Sequence, residues 1–266
     1  MHESTIDIIV LGAMGRMGQM VLKCSTNHQK INVIGAIEAP KTPFIGSTTG
    51  VKGINITVTD NAADVIKEGA ILIDFTLPAA VLTNLPKAIE GKAKMVIGAT
   101  GFTDEEKDLI KSAAEKIPIV LSPNMSIGVN LLFKLSELAA KSLGENFDIE
   151  IIEAHHKHKH DAPSGTAHGI AEAVARGRSF DLKKVAKHGR EGIIGERPQD
   201  EIGIHAVRGG DIVGDHTILY AGDGERIELK HMAHSRATFA NGSLKAANFL
   251  REKETGLYTM FDVLGL

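Results

Sequence analysis

Residues 6–18 read Ile6-Asp-Ile-Ile-Val-Leu-Gly-Ala-Met-Gly-Arg-Met-Gly18, and this stretch decides the fold. Its first six residues are almost all apolar, which is typical of a parallel strand buried on both faces. Three glycines then lead into a helical stretch, and a second apolar strand, Ile31 to Ile37, ends at Glu38. Glycine lets the backbone approach a pyrophosphate, and the N-terminus of the following helix attracts its negative charge. The stretch therefore predicts a βαβ unit that binds a dinucleotide, with Glu38 placed to hold ribose hydroxyls.

The glycine pattern departs from the familiar G-x-G-x-x-G, because Met14 occupies the second glycine position. A lone glycine motif is a weak signal, and a tight strand-to-helix turn without a ligand is the alternative interpretation. The correct order of strand, helix and terminal acid favours dinucleotide binding.

Further strands alternate with helical stretches as far as residue 125. The strands are expected at Ile54 to Val58, Ala70 to Phe75, Met95 to Gly98 and Ile119 to Leu121. Each ends in small or polar residues, and ligands bind at the carboxyl edge of such a sheet. This pattern predicts a Rossmann-like, doubly wound parallel sheet. The candidates to line its cofactor cleft are Thr76, Gly98 to Gly101 and Ser122 to Met125.

After Met125 the pattern changes. Three strand-like runs, Ile202 to Val207, Ile212 to Tyr220 and Arg226 to His231, follow one another with short turns, which indicates antiparallel pairing. We therefore expect a smaller α+β domain with a mostly antiparallel sheet. A last helix, beginning at Arg236, is expected to return to the first domain. The predicted division is residues 1–125 with 236–266 for dinucleotide binding, and residues 126–235 for substrate binding and oligomerisation.

A second stretch carries most of the reactive side chains. Residues 153–167 read Glu153-Ala-His-His-Lys-His-Lys-His-Asp-Ala-Pro-Ser-Gly-Thr-Ala167, with four histidines in six residues. Histidine titrates near neutral pH, so this loop can exchange protons or hold a metal. The segment around Ser164 and Gly165 is typical of a helix start, whose N–H groups receive an anion. A proton donor beside an anion pocket predicts a substrate site.

The histidine loop has two other interpretations. His156, His158 and His160 are spaced by two and would share one face of an extended strand, as metal ligands do. The interleaved Lys157 and Lys159 would oppose a cation, and no acid or thiol ligand pattern accompanies them, so we expect no metal. A solvated basic loop is the other alternative, but such a loop would not need the helix start.

Composition narrows the class of protein. The chain has 266 residues, a net charge of −3 and one cysteine, Cys24. The charge gives no reason to expect nucleic acid or an anionic membrane as partner, and the lone thiol suits a reducing compartment. Met1 to Thr5 lead directly into the first strand and do not resemble a signal peptide. No apolar run approaches the roughly 18 residues of a membrane span. We expect a cytoplasmic protein.

Five motifs, in order along nearly the whole chain, make it resemble the dihydrodipicolinate reductase family of the diaminopimelate route to lysine. They span residues 12–18, 96–102, 153–167, 208–214 and 238–242, and read GAMGRMG, VIGATGF, EAHHKHKHDAPSGTA, RGGDIVG and TFANG. The histidine-lysine motif is far more specific than the glycine turn.

The resemblance implies a role for particular residues. His155 corresponds to the family's catalytic histidine and Lys159 to its general acid, while His156 resembles a substrate contact. Gly165 and Thr166 resemble the pair that holds a substrate carboxylate. The positions that contact the cofactor are Gly12, Ala13, Met14, Gly15, Arg16, Met17, Glu38, Gly98, Ala99, Thr100, Ser122, Pro123, Asn124 and Met125. The resemblance also implies a homotetramer built through the sheets of the second domain.

The implied reaction is the NAD(P)H-dependent reduction of dihydrodipicolinate, a small cyclic imine dicarboxylate, to tetrahydrodipicolinate. Either Lys159 or His155 could donate the proton, and the residues leave this open. The family often carries Arg where Ala39 stands, and some members carry a basic residue where Leu77 stands. NADH is therefore expected to serve at least as well as NADPH, with use of both. The alternatives are another amino-acid-type NAD(P) dehydrogenase and a non-catalytic nucleotide-sensing protein of the same fold.

Overall fold

The computed structural model describes residues 5–266. We expect no signal peptide at Met1 to Thr5, and residues 1–4 of this segment lie outside the described residues. The described chain forms two compact units. The first runs to Ile127 and resumes at Arg236–Gly265, and the second comprises Gly128–Ser235 with Leu266.

The elements are numbered in chain order. The first part of the chain contains β1 (Ile6–Leu11), α1 (Arg16–Ser25), β2 (Ile31–Ile37), β3 (Val58–Thr59), β4 (Ile71–Asp74), α2 (Pro78–Glu90), β5 (Lys94–Ile97), α3 (Asp104–Ala114) and β6 (Pro118–Leu121). The middle part contains α4 (Ile127–Leu143), β7 (Asp148–His155), α5 (Gly165–Arg178), α6 (Leu182–Val185), β8 (Ala186–His188), β9 (Ile202–Arg208), β10 (Gly214–Gly222) and β11 (Glu225–Ala233). The last part contains α7 (Ala237–Leu250), β12 (Gly256–Tyr258) and α8 (Met260–Leu264).

The first unit is built on a seven-stranded sheet of order β12-β6-β5-β4-β1-β2-β3, in which every pairing is parallel. Successive residues of β1 point to opposite faces. Ile8 joins a core cluster with Leu244 of α7, and Ile9 joins another with Val81 of α2. Burying each such side chain stabilises the fold by about 1.5–3 kcal/mol. Helices thus cover both faces, which confirms the predicted doubly wound sheet.

The C-terminal segment completes this unit in a way that the sequence pattern did not indicate. β12 pairs with β6 and extends the sheet beyond Leu121, where we expected the series to end. Lys94 of β5 donates from Nζ to the carbonyl oxygens of Leu250, Arg251 and Lys253, at 2.6–2.9 Å. These carbonyls belong to the end of α7 and the residues after it, where the α-helical hydrogen bonds end. One lysine therefore anchors the returning chain.

The local sequence determines some short segments of the first unit and fails to determine others. α3 begins with a capping box, in which Thr103 and Glu106 each accept a hydrogen bond from the other's backbone N–H. The strand expected at Ile54 to Val58 is reduced to β3, which begins only at Val58. After Asp60 the chain forms a single 3₁₀ turn, Ala62–Asp64, capped by Asn61. Short segments of this kind are decided by tertiary contacts more than by local pattern.

The sheet of the second unit has the order β11-β10-β7-β9-β8 and is mixed rather than mostly antiparallel. β10 pairs antiparallel with both β11 and β7, while β9 pairs parallel with both β7 and β8. β9 and β10 were expected to form a hairpin, but β7 lies between them. The connecting loop instead bonds to the end of β7, because Gly209 N donates to His155 O and His156 N donates to Ile212 O.

One face of this sheet carries the helices and the polar site. Ile149, Ile151, Glu153 and His155 alternate along β7 as its buried set. Tyr220, buried on β10, donates from its hydroxyl to the carbonyl oxygen of Ser136 in α4. The opposite face presents Ile152, Val207 and Met232, each 40% exposed or more. Among residues 5–266, no helix has both the length and the apolar composition needed to cross a membrane.

Candidate active site

The glycine turn after β1 has the geometry that its sequence predicts. Gly12 adopts φ +62°, a conformation that residues with a side chain rarely take. A Cβ atom at Gly18 would clash with the carbonyl oxygen of Gly12, so α1 packs closely on the turn. Gly15 is the N-cap of α1 and has no side chain to occupy the helix N-terminus. The backbone therefore offers an anion site of the kind that binds pyrophosphate.

Glu38 lies beside this turn, at the carboxyl end of β2. Its Oε1 accepts a hydrogen bond from Met14 N at 2.7 Å, and its Oε2 accepts one from Ala39 N at 3.2 Å. The turn is also tied to β2 by Ala13 N, which donates to Ile37 O at 3.1 Å. The structure thus brings the predicted ribose acid and the predicted phosphate turn into direct contact.

A buried acid supports the turn from the neighbouring strand. Asp74, at the end of β4, is fully buried, and its Oδ1 accepts hydrogen bonds from the backbone N and the hydroxyl of Thr76. Burial raises the pKa of Asp74, although the hydrogen bonds from Thr76 oppose that rise. A Cβ atom at Gly12 would lie 2.8 Å from Cγ2 of Thr76. Asp74 therefore holds Thr76 against the turn.

The remaining predicted cofactor positions follow β5 and β6 at the same edge of the sheet. Gly98 N donates to Asp74 O, and Ser122 N donates to Ile97 O, so both segments continue the strand pairing. A Cβ atom at Gly98 would clash with the ring of Phe75, which explains the glycine there. Ser122 donates from its hydroxyl to the carbonyl oxygen of Asn124 at 2.9 Å. With the glycine turn and Glu38, these residues fit a nicotinamide dinucleotide.

In the second unit, His155 belongs to a network of buried side chains. Its Nδ1 lies 2.6 Å from Oε2 of Glu153, a carboxylate with no exposed surface. Arg208 donates to both oxygens of that carboxylate, at 2.8 and 2.9 Å, and Ser164 N donates to Oε1 at 3.0 Å. Burial raises the pKa of Glu153, but the hydrogen bonds from Arg208 and His155 outweigh it and hold the pKa below its ordinary value. Glu153 is therefore ionised and fully hydrogen-bonded.

The start of α5 is attached to the same network. Ser164 is the N-cap of this helix, and its Oγ accepts a hydrogen bond from Ala167 N at 3.1 Å. The same Oγ lies 3.1 Å from Nε2 of His216 on β10. Burial, followed by the electrostatic effect of His155, lowers the pKa of His216 to about 3, so the His216 ring is neutral. Gly165 and Thr166 occupy the first two positions of α5, at the helix end whose dipole favours an anion.

The catalytic lysine expected from the resemblance lies in the loop between β7 and α5. Lys159 Nζ is 2.8 Å from Oδ1 of Asp161, and its side chain is 21% exposed. This hydrogen bond is the main reason that the pKa of Asp161 lies below its ordinary value. The lysine thus has solvent access, in a loop that ends at a helix start that suits an anion.

The other histidines of the loop do not assemble into a metal site. The rings of His156 and His158 are 6.2 Å apart between centroids. Within residues 5–266, no group of three or more histidine, cysteine or acidic side chains is arranged to hold a metal ion.

Sequence reasoning missed three members of the site: Glu153, Arg208 and His216. Glu153 and His155 are two residues apart on a strand, so the sequence alone could have predicted that they share a face. Arg208 and His216 come from β9 and β10, more than 50 residues from their partners Glu153 and Ser164. Only the strand order of the sheet reveals those pairings.

Comparisons with known proteins agree with this geometry. Residues 6–125 match the family model described as "Dihydrodipicolinate reductase, N-terminus", and residues 128–264 match "Dihydrodipicolinate reductase, C-terminus". The chain is 50% identical over 265 residues to the 4-hydroxy-tetrahydrodipicolinate reductase of Nitrosomonas europaea, with 98% of each chain covered. It is 49% identical to the same enzyme of Nitrosomonas eutropha, also with 98% of each chain covered.

A solved structure agrees in fold. The chain is similar to the dipicolinate-bound dihydrodipicolinate reductase from Paenisporosarcina sp. TG-14, with a TM-score of 0.77 and 27% sequence identity. The alignment covers 97% of this chain and 98% of the other.

Proposed function

The chain belongs to the dihydrodipicolinate reductase family, and we propose that His155 and Lys159 form its catalytic centre, with the helix start at Gly165 as its carboxylate site. The reaction is the nicotinamide-dependent reduction of dihydrodipicolinate, derived from 4-hydroxy-tetrahydrodipicolinate, to tetrahydrodipicolinate. The observation that carries the proposed site is that one loop holds Lys159, which is partly exposed and paired with Asp161, and ends at the N-terminus of α5.

The first unit binds the nicotinamide cofactor, which supplies the hydride when bound. Gly12 to Met17 would receive the pyrophosphate at the N-terminus of α1, and Glu38 would accept hydrogen bonds from ribose hydroxyls. The segments 98–100 and 122–125, which follow β5 and β6, would line the rest of the cofactor site. Close backbone approach at Gly12 and Gly18 supports this assignment.

The second unit binds the dicarboxylate. Backbone N–H groups at Gly165 and Thr166, with the Thr166 hydroxyl, would hold one carboxylate through the N-terminal charge of α5. His156, in the same loop as Lys159, would contact the substrate as well. A carboxylate arriving here can replace Asp161 as the partner of Lys159, since both are carboxylates of similar geometry.

Lys159 donates the proton that completes the reduction. Its ammonium carries three donors, and the carboxylate of Asp161 holds one of them at 2.8 Å. His155 is less suited to this task, because it is buried and its Nδ1 is already engaged with Glu153. We assign to His155 the stabilisation of negative charge that develops on the substrate ring.

NADH serves at least as efficiently as NADPH in this proposal. Glu38 suits the free ribose hydroxyls of NADH and repels the 2′-phosphate of NADPH. Neither Ala39 nor Leu77, a fully apolar side chain that is 75% exposed, can offset that repulsion. The exposed Lys41 is a partial substitute, as a point charge without the fork of arginine. If Lys41 acts in this way, KM for NADPH will rise with salt more steeply than KM for NADH.

We also propose a cytoplasmic homotetramer that assembles through the second unit. The exposed apolar residues Ile152, Val207 and Met232 lie on the sheet face opposite α4 and support a contact between copies. The buried free thiol of Cys24 suits a reducing compartment. Sedimentation of the purified protein tests the assembly, and a monomer across micromolar concentrations would contradict it.

The function is tested by adding freshly prepared substrate to the protein with NADH and following the cofactor's absorbance. A reductase will oxidise NADH only when substrate is present. A nucleotide-sensing protein of the same fold would bind NADH without turnover, and an amino-acid dehydrogenase would turn over an amino acid instead. Either of those results would contradict the proposal.

A further inference from the structure

Glu153 has no role in the reaction proposed above. Its carboxylate nevertheless receives four hydrogen bonds from other residues of the site in the second unit. It is buried without exposed surface on β7, two residues before His155 and on the same face of the strand. An ionised side chain at such a position is costly unless it is fully paired. Its environment therefore needs an explanation beyond packing.

Both oxygens of the Glu153 carboxylate are fully used. Oε2 meets Nδ1 of His155 at 2.6 Å and Nη1 of Arg208 at 2.8 Å, while Oε1 receives Ser164 N at 3.0 Å and Nη2 of Arg208 at 2.9 Å. The Arg208 Nη2 atom also donates to the carbonyl oxygen of Asp161. The guanidinium thus fixes the plane of the carboxylate by a bidentate contact, which lysine could not reproduce.

This arrangement determines which nitrogen of His155 carries a proton. An ionised carboxylate only accepts hydrogen bonds, so the 2.6 Å contact requires a proton on Nδ1. Nε2 then lies on the far side of the ring, toward Gly214, where a Cβ atom would sit 3.1 Å from it. Glycine at this position keeps Nε2 clear of a side chain.

The other titratable groups around His155 do not compete for Nδ1. On β10, the neutral ring of His216 packs edge-on against the ring of His155, with 5.2 Å between the ring centroids. On β11, His231 pairs with His216 in the strand register, and burial lowers its pKa. Arg208 of β9 is committed to Glu153, and Lys159 of the loop to Asp161.

We infer that Glu153, held in place by Arg208, is a positioning residue that fixes His155 as its Nδ1–H tautomer and ties it to the start of α5. The tie is the hydrogen bond from Ser164 N to the same carboxylate. Glu153 thereby sets the distance between the catalytic histidine and the carboxylate-binding helix start. This inference rests on the proposed function of His155 and Gly165.

The first test uses the wild-type protein. Long-range ¹H–¹⁵N spectra of protein with labelled histidine distinguish the two tautomers, and the His155→Asn variant identifies the His155 signal by its loss. We expect a proton on Nδ1 of His155 at neutral pH. A neutral ring protonated only on Nε2 would overturn the inference, and the tautomer itself is read from the wild-type protein.

The second test is Glu153→Gln, which replaces the carboxylate by an amide of the same shape. His155, Ser164 and Arg208 all donate hydrogen bonds to this carboxylate in the wild-type protein. The amide N–H can then donate to His155 Nδ1 and move its proton to Nε2. We expect kcat to fall at least about tenfold, as for an acid–base group that loses its orientation, with NADH affinity unchanged within twofold. The matched control is Glu172→Gln, an exposed carboxylate of α5 paired with His168, which should keep the wild-type kcat.

Arg208→Lys provides a second variant that retains the charge and removes the bidentate contact. We expect a smaller fall in kcat than in Glu153→Gln, together with a broadened or shifted His155 signal. A kcat within twofold of wild type in Glu153→Gln, with the tautomer retained, would overturn the inference. If that variant does not fold, an unchanged tautomer and kcat in Arg208→Lys would overturn it.

The outcomes also separate this inference from the proposed function. If His155→Asn itself turns over normally, the proposed role of His155 is wrong. If His155→Asn is inactive while Glu153→Gln is normal, the proposed function stands and only the positioning role fails.

Discussion

The two candidate sites of this chain are built from different materials. The site after β1 is made of backbone: the turn from Gly12 to Gly15 and the first residues of α1, with one carboxylate, Glu38, bonded to the turn. The site after β7 is made of side chains from three strands and a helix start, gathered around Glu153. A backbone site tolerates many side chains but no added bulk. A side-chain network tolerates little change of charge, because each buried group depends on its partners.

The largest effect is expected in the side-chain site. Lys159→Ala should lower kcat by roughly 10²-fold or more, as for loss of a general acid, with NADH affinity nearly unchanged. Steady-state rates and NADH titrations measure the two quantities. Lys157→Ala is the matched control, since Lys157 is an exposed lysine of the same loop. Near-normal turnover of Lys159→Ala would remove this residue from the mechanism.

A second change in that region affects binding rather than chemistry. Thr166→Val keeps the shape of the first turn of α5 and removes the hydroxyl. Substrate binding should weaken by about 1.5–3 kcal/mol, because a charged acceptor loses a hydrogen bond. The measurement is substrate KM together with NADH affinity. If the variant loses NADH binding and keeps its substrate KM, the loop contacts the cofactor rather than the substrate, and our assignment is wrong.

In the backbone site the sensitive change is a single added methyl group. Gly18→Ala places a Cβ against the carbonyl oxygen of Gly12, where backbone must move. Such overpacking costs about 1–3 kcal/mol, and we expect NADH affinity to fall by a similar free energy. Gly209→Ala, where a Cβ meets nothing within 4 Å, should leave NADH affinity unchanged. Equal NADH affinities in the two variants would show that the turn does not bind the cofactor.

The two units should also respond differently to acid. Burial lowers the pKa of His216 to about 3 in the folded chain. Below about pH 6.5 the unfolded chain therefore binds a proton at His216, while the folded chain does not. Stability is therefore lost as pH falls from 6.5 towards 3, by about 2 kcal/mol at pH 5. Asp74 in the first unit acts in the opposite direction. Its raised pKa means that the folded chain holds a proton which the unfolded chain releases, so acidification favours folding.

Tyrosine fluorescence can follow the second unit alone. The chain has no tryptophan and two tyrosines, and Tyr258→Phe leaves Tyr220 on β10 as the reporter. Urea midpoints at pH 7 and pH 5 should differ clearly in this protein, and His216→Gln should reduce the difference. Equal midpoints at both pH values would contradict a neutral, buried His216.

The difference between the two sites also explains what could be predicted from sequence. Gly12, Gly15 and Glu38 lie within one βαβ unit, so periodicity and turn chemistry were enough to place them. The pairing of Arg208 with Glu153 depends on β9 lying beside β7, a parallel pairing that short turns and consecutive strands did not indicate. The hairpin expected between β9 and β10 was wrong for the same reason. β12 was missed because three residues carry too little pattern to mark a strand.

The most direct test compares kcat/KM for NADH and NADPH with the same substrate, because it asks whether Glu38 and Ala39 determine the choice of cofactor. We predict substrate-dependent oxidation of both, with NADH at least as efficient, and a gap narrowed by Lys41. A tenfold preference corresponds to only about 1.4 kcal/mol, so the ratio responds to a single charge. A kcat/KM for NADPH more than tenfold above that for NADH would contradict the account.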